Sequence, residues 1–245
     1  MIIDIHAHIW GKQDVPGVLK DMDHCGIDKA YLSCVTGWHP TKEGIEENNR
    51  LIAETMKQYP QRFGGAVYIN PLHDNTMDVI KRGLDEQGMS LIKFWVATYV
   101  DDPCMDPVME YAAEVGVPVL IHAFRKPKRE LLIENTGRNV ANLAKRHPHT
   151  KILMAHLGGS CYDGVPAVWD CPNVWLDYSG TYFVGDAIDY TVEMVGAERL
   201  LYGSDMPANS AVNVGKILGA DLTEAQRQMI FHQNAEKLLD RTFRL

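Results

Sequence analysis

The stretch Ile2-Ile3-Asp4-Ile5-His6-Ala7-His8 opens the chain and directs how the rest of the sequence is interpreted. Its β-branched residues predict a buried strand. The strand ends in two histidines, whereas a dinucleotide-binding sheet would carry a glycine-rich phosphate turn at this point. Because a two-residue step along a strand returns to the same face, we predict that His6 and His8 point together, with Asp4 on that face one layer deeper.

Seven further apolar, β-branched runs follow this stretch, and amphipathic segments separate them. We predict strands at residues 2–8, 29–35, 63–70, 90–95, 117–122, 151–157, 174–179 and 200–205. An open sheet of six strands would leave two of these units unexplained. Eight strand–helix units nearly fill a chain of 245 residues, so the sequence predicts an α/β fold, a single-domain (β/α)8 TIM barrel over residues 1–245.

The segments between the strands carry helical patterns. The first predicted helix has apolar residues at helical spacing, namely Val15, Val18, Leu19 and Met22. Thr223 stands three residues before Gln226, a spacing typical of a capping box, and this pair predicts a last helix that ends near Leu239.

The composition excludes several classes of partner. With 24 Lys+Arg against 32 Asp+Glu, the net charge of −8 disfavours nucleic acid and anionic membrane surfaces. Neither a membrane-spanning apolar run nor a signal peptide is visible in the sequence, and the five cysteines are dispersed without a C-x-x-C pair. We therefore expect a cytoplasmic protein whose partners are a small-molecule substrate and, in a homo-oligomer such as a dimer, a second copy of itself.

Five of the eight predicted strand ends carry a residue that can bind a metal or move a proton: His6 and His8, Lys93, His122, His156 and Asp205. Barrel enzymes place their chemistry at these carboxyl ends. Neutral imidazoles and one carboxylate, with a position left open, are typical of a catalytic metal site. Zinc is the expected ion from the imidazole-rich set, although such a site also accepts manganese.

Six stretches in this order resemble the amidohydrolase superfamily: Ile3-Asp4-Ile5-His6-Ala7-His8, Ile92-Lys93-Phe94, Val119-Leu120-Ile121-His122, His156-Leu157-Gly158-Gly159, Tyr202-Gly203-Ser204-Asp205-Met206-Pro207 and Asn234-Ala235-Glu236-Lys237-Leu238-Leu239. Within the superfamily, the sequence is most similar to the amidohydrolase-related branch, which includes metal-dependent decarboxylases of aromatic or unsaturated acids. The superfamily hosts many reactions on one scaffold, so the resemblance indicates a family and leaves the substrate open.

The resemblance implies a role for each of these residues. His6, His8 and His122 match metal ligands, and Asp205 matches a carboxylate that binds the metal or handles a proton. His156 matches an acid/base residue in single-metal members and a ligand of the second ion in two-metal members. The resemblance therefore implies Asp205 and His156 as catalytic residues, with one or two divalent ions per chain.

Other positions keep more than one interpretation. Lys93 matches the carboxylated lysine of two-metal relatives, but it could also bind a substrate carboxylate or form a structural ion pair. Arg125 could clamp a substrate carboxylate or lie in a solvated loop. Trp10, Trp95 and Tyr178 follow predicted strand ends, where they could line a substrate pocket or simply pack.

The reaction that the resemblance implies is metal-assisted hydrolysis of an amide, lactone or ester bond in a small carboxylated substrate. Non-oxidative decarboxylation of an aromatic or unsaturated acid is the alternative. A nuclease is disfavoured, because the stretches Val67-Tyr68-Ile69-Asn70 and Leu91-Ile92-Lys93-Phe94 lack the acidic motif of that branch. A barrel that binds a small acid without turning it over is a further alternative.

Overall fold

The strands form the sheet that the sequence predicts. The computed structural model describes residues 1–37, 39–124, 133–180 and 184–245. In these ranges eight strands pair side by side in chain order, and every neighbouring pair is parallel. They are β1 (Ile3–His8), β2 (Lys29–Ser33), β3 (Phe63–Ile69), β4 (Leu91–Phe94), β5 (Val119–Ile121), β6 (Ile152–Met154), β7 (Val174–Asp177) and β8 (Leu200–Leu201).

The segment that contains β8 closes the sheet onto β1. The amide of Ile5 donates to the carbonyl oxygen of Tyr202 at 3.1 Å, and the amide of Asp205 donates to the carbonyl oxygen of His6 at 2.7 Å. Ala7 and Asp205 form a parallel bridge. The chain thus runs beside β1 for several residues beyond β8, and the architecture is the predicted single-domain (β/α)8 barrel.

Helices follow the strands and cover the outside of the barrel. They are α1 (Val15–Cys25), α2 (Lys42–Gln58), α3 (Thr76–Lys81), α4 (Asp106–Val115), α5 (Gly137–Arg146), α6 (Cys161–Val168), α7 (Ala187–Val195), α8 (Ser210–Gly219), α9 (Glu224–Gln228) and α10 (Asn234–Leu239). Thr223 and Gln226 form the predicted capping box, and a π-helical segment, Met229–Gln233, joins α9 to α10. Within the described ranges, no helix combines the length and the apolar character that a membrane crossing requires.

A β-bulge in β1 alters which side chains enter the barrel. Asp4 pairs with Ala30 and Ala7 pairs with Leu32, so three steps on β1 oppose two on β2. Ile5 belongs to the apolar cluster inside the barrel, whereas Ala7 belongs to the cluster beneath the helices. The prediction that Asp4 shares the face of His6 is therefore wrong, because the bulge resets the alternation between them.

An apolar layer fills the amino-terminal end of the barrel. Its inward-facing members come from alternate positions of successive strands and pack with residues of α10, as a cluster of Ile3, Ile5, Ala66, Leu91, Leu120, Leu153, Ala155, Trp175, Leu201, Ala235 and Leu238. We call this cluster the floor. It seals one end of the barrel, so the opposite end is where a ligand can enter.

Candidate metal centre at the barrel mouth

The carboxyl ends of the strands bring the predicted metal ligands together. The Nε2 atoms of His6 and His8 lie 3.1 Å apart. Asp205 Oδ1 lies 3.7 Å from His6 Nε2, 3.5 Å from His8 Nε2 and 4.0 Å from His156 Nε2. These contacts join residues from the two ends of the chain into one cluster at the mouth.

Hydrogen-bond partners fix the tautomers of His6 and His8. His6 Nδ1 lies 3.0 Å from Asp177 Oδ2, and His8 Nδ1 lies 3.1 Å from the Ser33 carbonyl oxygen. A carboxylate and a carbonyl oxygen only accept, so each Nδ1 carries the proton and each Nε2 presents a lone pair, that of His6 also lying 2.8 Å from Lys93 Nζ. Two lone pairs therefore face each other across 3.1 Å, an arrangement that a cation between them would relieve.

The same logic assigns the tautomers of His156 and His122. His156 Nδ1 lies 3.2 Å from the carbonyl oxygen of Ser179, to which it donates, and this leaves His156 Nε2 as an acceptor. His122 Nδ1 lies 3.2 Å from His156 Nε2 and must be the donor of that pair. His122 Nε2 is then a third lone pair, and it is buried without a hydrogen-bond partner among the described residues.

Burial favours the neutral forms of the His6, His8 and His122 imidazoles. Burial, together with the charge of Lys93, lowers the pKa of His6 to about 3. Burial also lowers the pKa of His8 and that of His122. For Asp205, burial opposes ionisation, but the neighbouring histidines outweigh it and hold the pKa of the carboxyl well below its usual value. Neutral imidazoles beside an ionised carboxylate are the protonation states in which these groups bind a metal.

These donors fit a divalent ion. One ligand atom each from His6, His8 and Asp205 lies within 4.8 Å of the others, and the unpartnered Nε2 of His122 adds a fourth donor at the mouth. Imidazole nitrogens and a carboxylate oxygen form a ligand set for zinc, manganese and related ions.

Lys93 lies inside this cluster, fully buried on β4. Its Nζ is 2.8 Å from His6 Nε2, the lone pair that a metal would use. Burial lowers the pKa of Lys93 to about 8, although Asp205 and Asp177 oppose this change. Its position beside a candidate ligand is compatible with a carboxylated lysine and with a substrate-binding ammonium.

Asp177 belongs to this cluster, and the sequence interpretation missed it. It ends β7 and is fully buried, and its Oδ1 accepts from the amides of His156 and Ser179, both at 3.0 Å. Burial opposes ionisation of Asp177, but the contact with His6 outweighs it and holds the pKa of the carboxyl below its usual value. A carboxylate at the end of an otherwise apolar strand was the available signal, because such a group is costly to bury without partners.

Backbone strain is concentrated at the same place. In the described ranges, three non-glycine residues adopt the left-handed region, namely His156 (φ 60°), Leu157 (φ 50°) and Asp205 (φ 64°). Strand β6 consequently ends at Met154, and the predicted extension to Leu157 is wrong. The contact of Asp177 with the His156 amide and that of the His6 carbonyl oxygen with the Asp205 amide hold two of these conformations in place.

An open cavity of about 290 Å³ lies above the cluster. Its walls include three aromatic residues, Trp10, Trp95 and Phe124, together with His122 and Asp205. Trp10 Nε1 donates to the Val35 carbonyl oxygen at 3.1 Å, which fixes its indole at the rim. Trp10 and Trp95 therefore lie where a substrate would enter, and Phe124 is a wall residue that sequence analysis did not identify.

The other two residues predicted to bind substrate, Tyr178 and Arg125, are not among the residues that line the cavity as described. Tyr178 is buried outside the cavity, with its ring centroid 6.1 Å from that of Tyr202. The prediction that Tyr178 lines the pocket is wrong, because strand alternation turns Tyr178 toward the helices when Asp177 points inward. Arg125 lies outside the described residues.

A family model described as amidohydrolase matches residues 3–241. No curated protein matches the chain at a significant level. Among solved structures, the 2,6-dihydroxybenzoate decarboxylase from Rhizobium has a TM-score of 0.77 at 18% identity, with 99% of each chain covered.

Two further structures show the same fold. A dihydroxybenzoic acid decarboxylase from Polaromonas, solved with bound manganese, has a TM-score of 0.79 at 18% identity and covers 99% of this chain and 97% of its own. The 4-oxalomesaconate hydratase from Rhodopseudomonas palustris has a TM-score of 0.74 at 18% identity and covers 99% and 96%. At this level of identity, the likeness extends to the fold and does not specify the reaction.

Proposed function

This chain belongs to the amidohydrolase family, and we propose from that premise that it is a metal-dependent hydrolase. Its substrate is a small carboxylated molecule with an amide, lactone or ester bond. The observation that carries the proposal is the convergence of the Nε2 lone pairs of His6 and His8 with the Asp205 carboxylate at the mouth, where His122 lines the same cavity with an unpartnered Nε2.

His6, His8, His122 and Asp205 would hold the ion, which we take to be Zn²⁺ or Mn²⁺. The manganese bound in the Polaromonas decarboxylase supports including Mn²⁺ beside Zn²⁺. A bound divalent ion polarises a carbonyl oxygen and makes water a better nucleophile near neutral pH. Lys93 would complete a second metal position if it is carboxylated, and it would otherwise bind the substrate carboxylate.

Asp205 and His156 would move the protons. The side chain of Asp205 is 24% exposed toward the mouth, so one carboxylate oxygen can bind metal while the other receives a proton from the attacking water. The oxygen of that water bonds to the carbonyl carbon, the bond to the leaving group breaks, and Asp205 returns the proton to the leaving group. His156 would pass this proton between Asp205 and the leaving group, because its Nε2 lies 4.0 Å from Asp205 Oδ1.

A second candidate is non-oxidative decarboxylation, which the aromatic walls of the cavity favour. Trp10, Trp95 and Phe124 offer flat apolar surfaces to a planar acid. The carbon–carboxylate bond would break, CO₂ would leave, and a proton would take its place on carbon. Two of the structural neighbours carry decarboxylase names, which supports testing this reaction beside hydrolysis.

The metal proposal is tested by elemental analysis of protein purified without chelator and then incubated with Zn²⁺ or Mn²⁺. We expect about one ion per chain for a single site and about two if Lys93 is carboxylated, which mass spectrometry of the intact chain would detect. A protein that retains no divalent ion would overturn the proposal.

The reaction is tested with a panel of lactones, amides and carboxylated aromatic acids in ¹⁸O-labelled water. Hydrolysis places ¹⁸O in the product, whereas decarboxylation releases CO₂ and, in deuterated solvent, places deuterium on carbon. Release of CO₂ with no ¹⁸O in the organic product would contradict hydrolysis and support decarboxylation. Binding of an acid without turnover by the metal-loaded protein would favour the non-catalytic barrel.

A further inference from the structure

Asp177 contacts the candidate metal centre through both of its carboxylate oxygens, although it is not itself among the proposed ligands. Oδ2 lies 3.0 Å from His6 Nδ1, while Oδ1 accepts from the amides of His156 and Ser179 at 3.0 Å. Its side chain is fully buried, so water cannot replace either set of contacts. One carboxylate therefore joins β1, β7 and the turn after β6.

The two candidate histidine ligands of β1 are held in different ways. His8 Nδ1 lies 3.1 Å from the backbone carbonyl oxygen of Ser33, which no substitution of a side chain removes. His6 Nδ1 lies near Asp177 Oδ2 and, at 3.2 Å, near the hydroxyl of Ser179, which donates its own proton to Asp177 Oδ1. Asp177 is thus the charged acceptor at His6 Nδ1, and together with Lys93 Nζ, which lies 2.8 Å from His6 Nε2, it favours the tautomer that carries its proton on Nδ1.

We infer that Asp177 is a positioning residue that sets the metal-binding tautomer of His6 and, through its other oxygen, the strained backbone at His156. This inference rests on the proposed function, because it assumes that His6 Nε2 binds a metal. A carboxylate that orients a ligating imidazole raises metal affinity, and its loss costs about 10- to 100-fold.

The isosteric substitution Asp177→Asn separates the two contacts. The amide oxygen can still accept from His156 and Ser179, whereas the amide nitrogen can only donate toward His6 Nδ1. This donor favours a His6 that accepts at Nδ1 and carries its proton on Nε2, the atom that would bind the metal and that lies 2.8 Å from Lys93 Nζ. Ser33→Ala is the matched control, because it removes a buried hydroxyl 2.9 Å from His8 Nδ1 and leaves the backbone acceptor in place.

The experiment measures Zn²⁺ affinity by chelator competition for the wild-type protein, Asp177→Asn and Ser33→Ala, with thermal unfolding of each metal-free protein as a check on folding. We expect about 10- to 100-fold weaker binding for Asp177→Asn and a change of less than about threefold for Ser33→Ala. An equal loss of Zn²⁺ affinity in the two variants, or no loss of Zn²⁺ affinity in Asp177→Asn, would overturn the inference and leave Asp177 with a purely structural role.

A measurement on the wild-type protein keeps the inference testable if the variant does not fold. The ¹⁵N spectrum of the metal-free protein should show His6 protonated at Nδ1, and in a folded Asp177→Asn variant the proton should move to Nε2. A wild-type His6 protonated at Nε2 would contradict the inference. Failure of the wild-type protein to bind Zn²⁺ would instead remove the proposed function, and the tautomer result would stand apart from it.

Discussion

The same strands supply two layers of the barrel, the floor at its amino-terminal end and the mouth at its carboxyl end, and these layers differ in chemical character. The floor is apolar, whereas on three of the strands the inward position two residues further along is polar. Three strands show this change, in the pairs Leu91 and Lys93, Leu120 and His122, and Trp175 and Asp177. Because residues two apart on a strand share a face, one inward residue packs in the floor and the next inward residue lies at the mouth.

The physical demands of the two layers are opposite. Each buried leucine of the floor contributes about 1.5–3 kcal/mol by leaving water, and it needs only neighbours of the right volume. The mouth buries imidazoles, a lysine and a carboxylate, whose loss of hydration must be offset by specific partners. Substitutions in the floor should therefore change stability, and those at the mouth should change metal binding.

The largest effect is expected from the paired substitution His6→Ala/His8→Ala. It removes two of three imidazole lone pairs, so bound metal should fall below about 0.1 ion per chain and turnover by about 1000-fold or more. Elemental analysis and steady-state kinetics measure these losses, with circular dichroism to establish that the barrel is intact. Retained metal at wild-type stoichiometry would place the site elsewhere.

Leu120→Ala is the corresponding substitution in the floor, one inward position before His122. It creates a cavity in a packed layer and should lower the free energy of unfolding by about 2–5 kcal/mol. Denaturant unfolding gives the loss, and metal content at a temperature where the variant is folded should equal that of the wild-type protein. A folded Leu120→Ala protein without metal would show that the two layers are not separable.

Acidification should act on the mouth and not on the floor. In the metal-free protein the pKa of His6 is lowered to about 3, whereas in the unfolded chain it is about 6.5. The unfolded chain then binds a proton that the folded one does not, so the free energy of unfolding falls as the pH drops below about 6.5. The free energy of unfolding can fall by at most about 1.4 kcal/mol per pH unit for each such histidine.

Denaturant unfolding between pH 7.5 and pH 4.5 measures this slope. His6→Asn should reduce it, whereas Leu120→Ala should shift the whole curve downward without changing the slope. Indistinguishable slopes in the wild-type protein and His6→Asn would show that His6 is protonated in the folded state at the same pH as in the unfolded chain.

The smallest effect is expected at the rim of the cavity. Trp10 is 43% exposed, so Trp10→Phe removes part of a half-open wall together with the hydrogen bond to Val35. KM should rise about two- to fivefold with kcat nearly unchanged, because the lost contact acts on bound substrate and transition state alike. A fall in kcat equal to the rise in KM would instead place the indole at the reacting atoms.

Local sequence determined much of this protein. Strand positions followed from β-branched runs, and each candidate ligand stood at a strand end that could be located within a few residues. The capping box at Thr223 is correct for the same reason, since it depends on residues three apart. Patterns of period two and 3.6 are local, so one chain is enough to identify them.

Tertiary structure decided the orientations and the protonation pattern. The bulge between Asp4 and Ala7 placed the side chains of Asp4 and His6 on different faces of β1, and Tyr178 faces the helices because its neighbour Asp177 faces the candidate metal centre. The tautomer of His6 depends on a carboxylate 171 positions away in sequence. Residue types fix which atoms can bind a metal, but only the partners that folding places beside them decide which nitrogen keeps its lone pair.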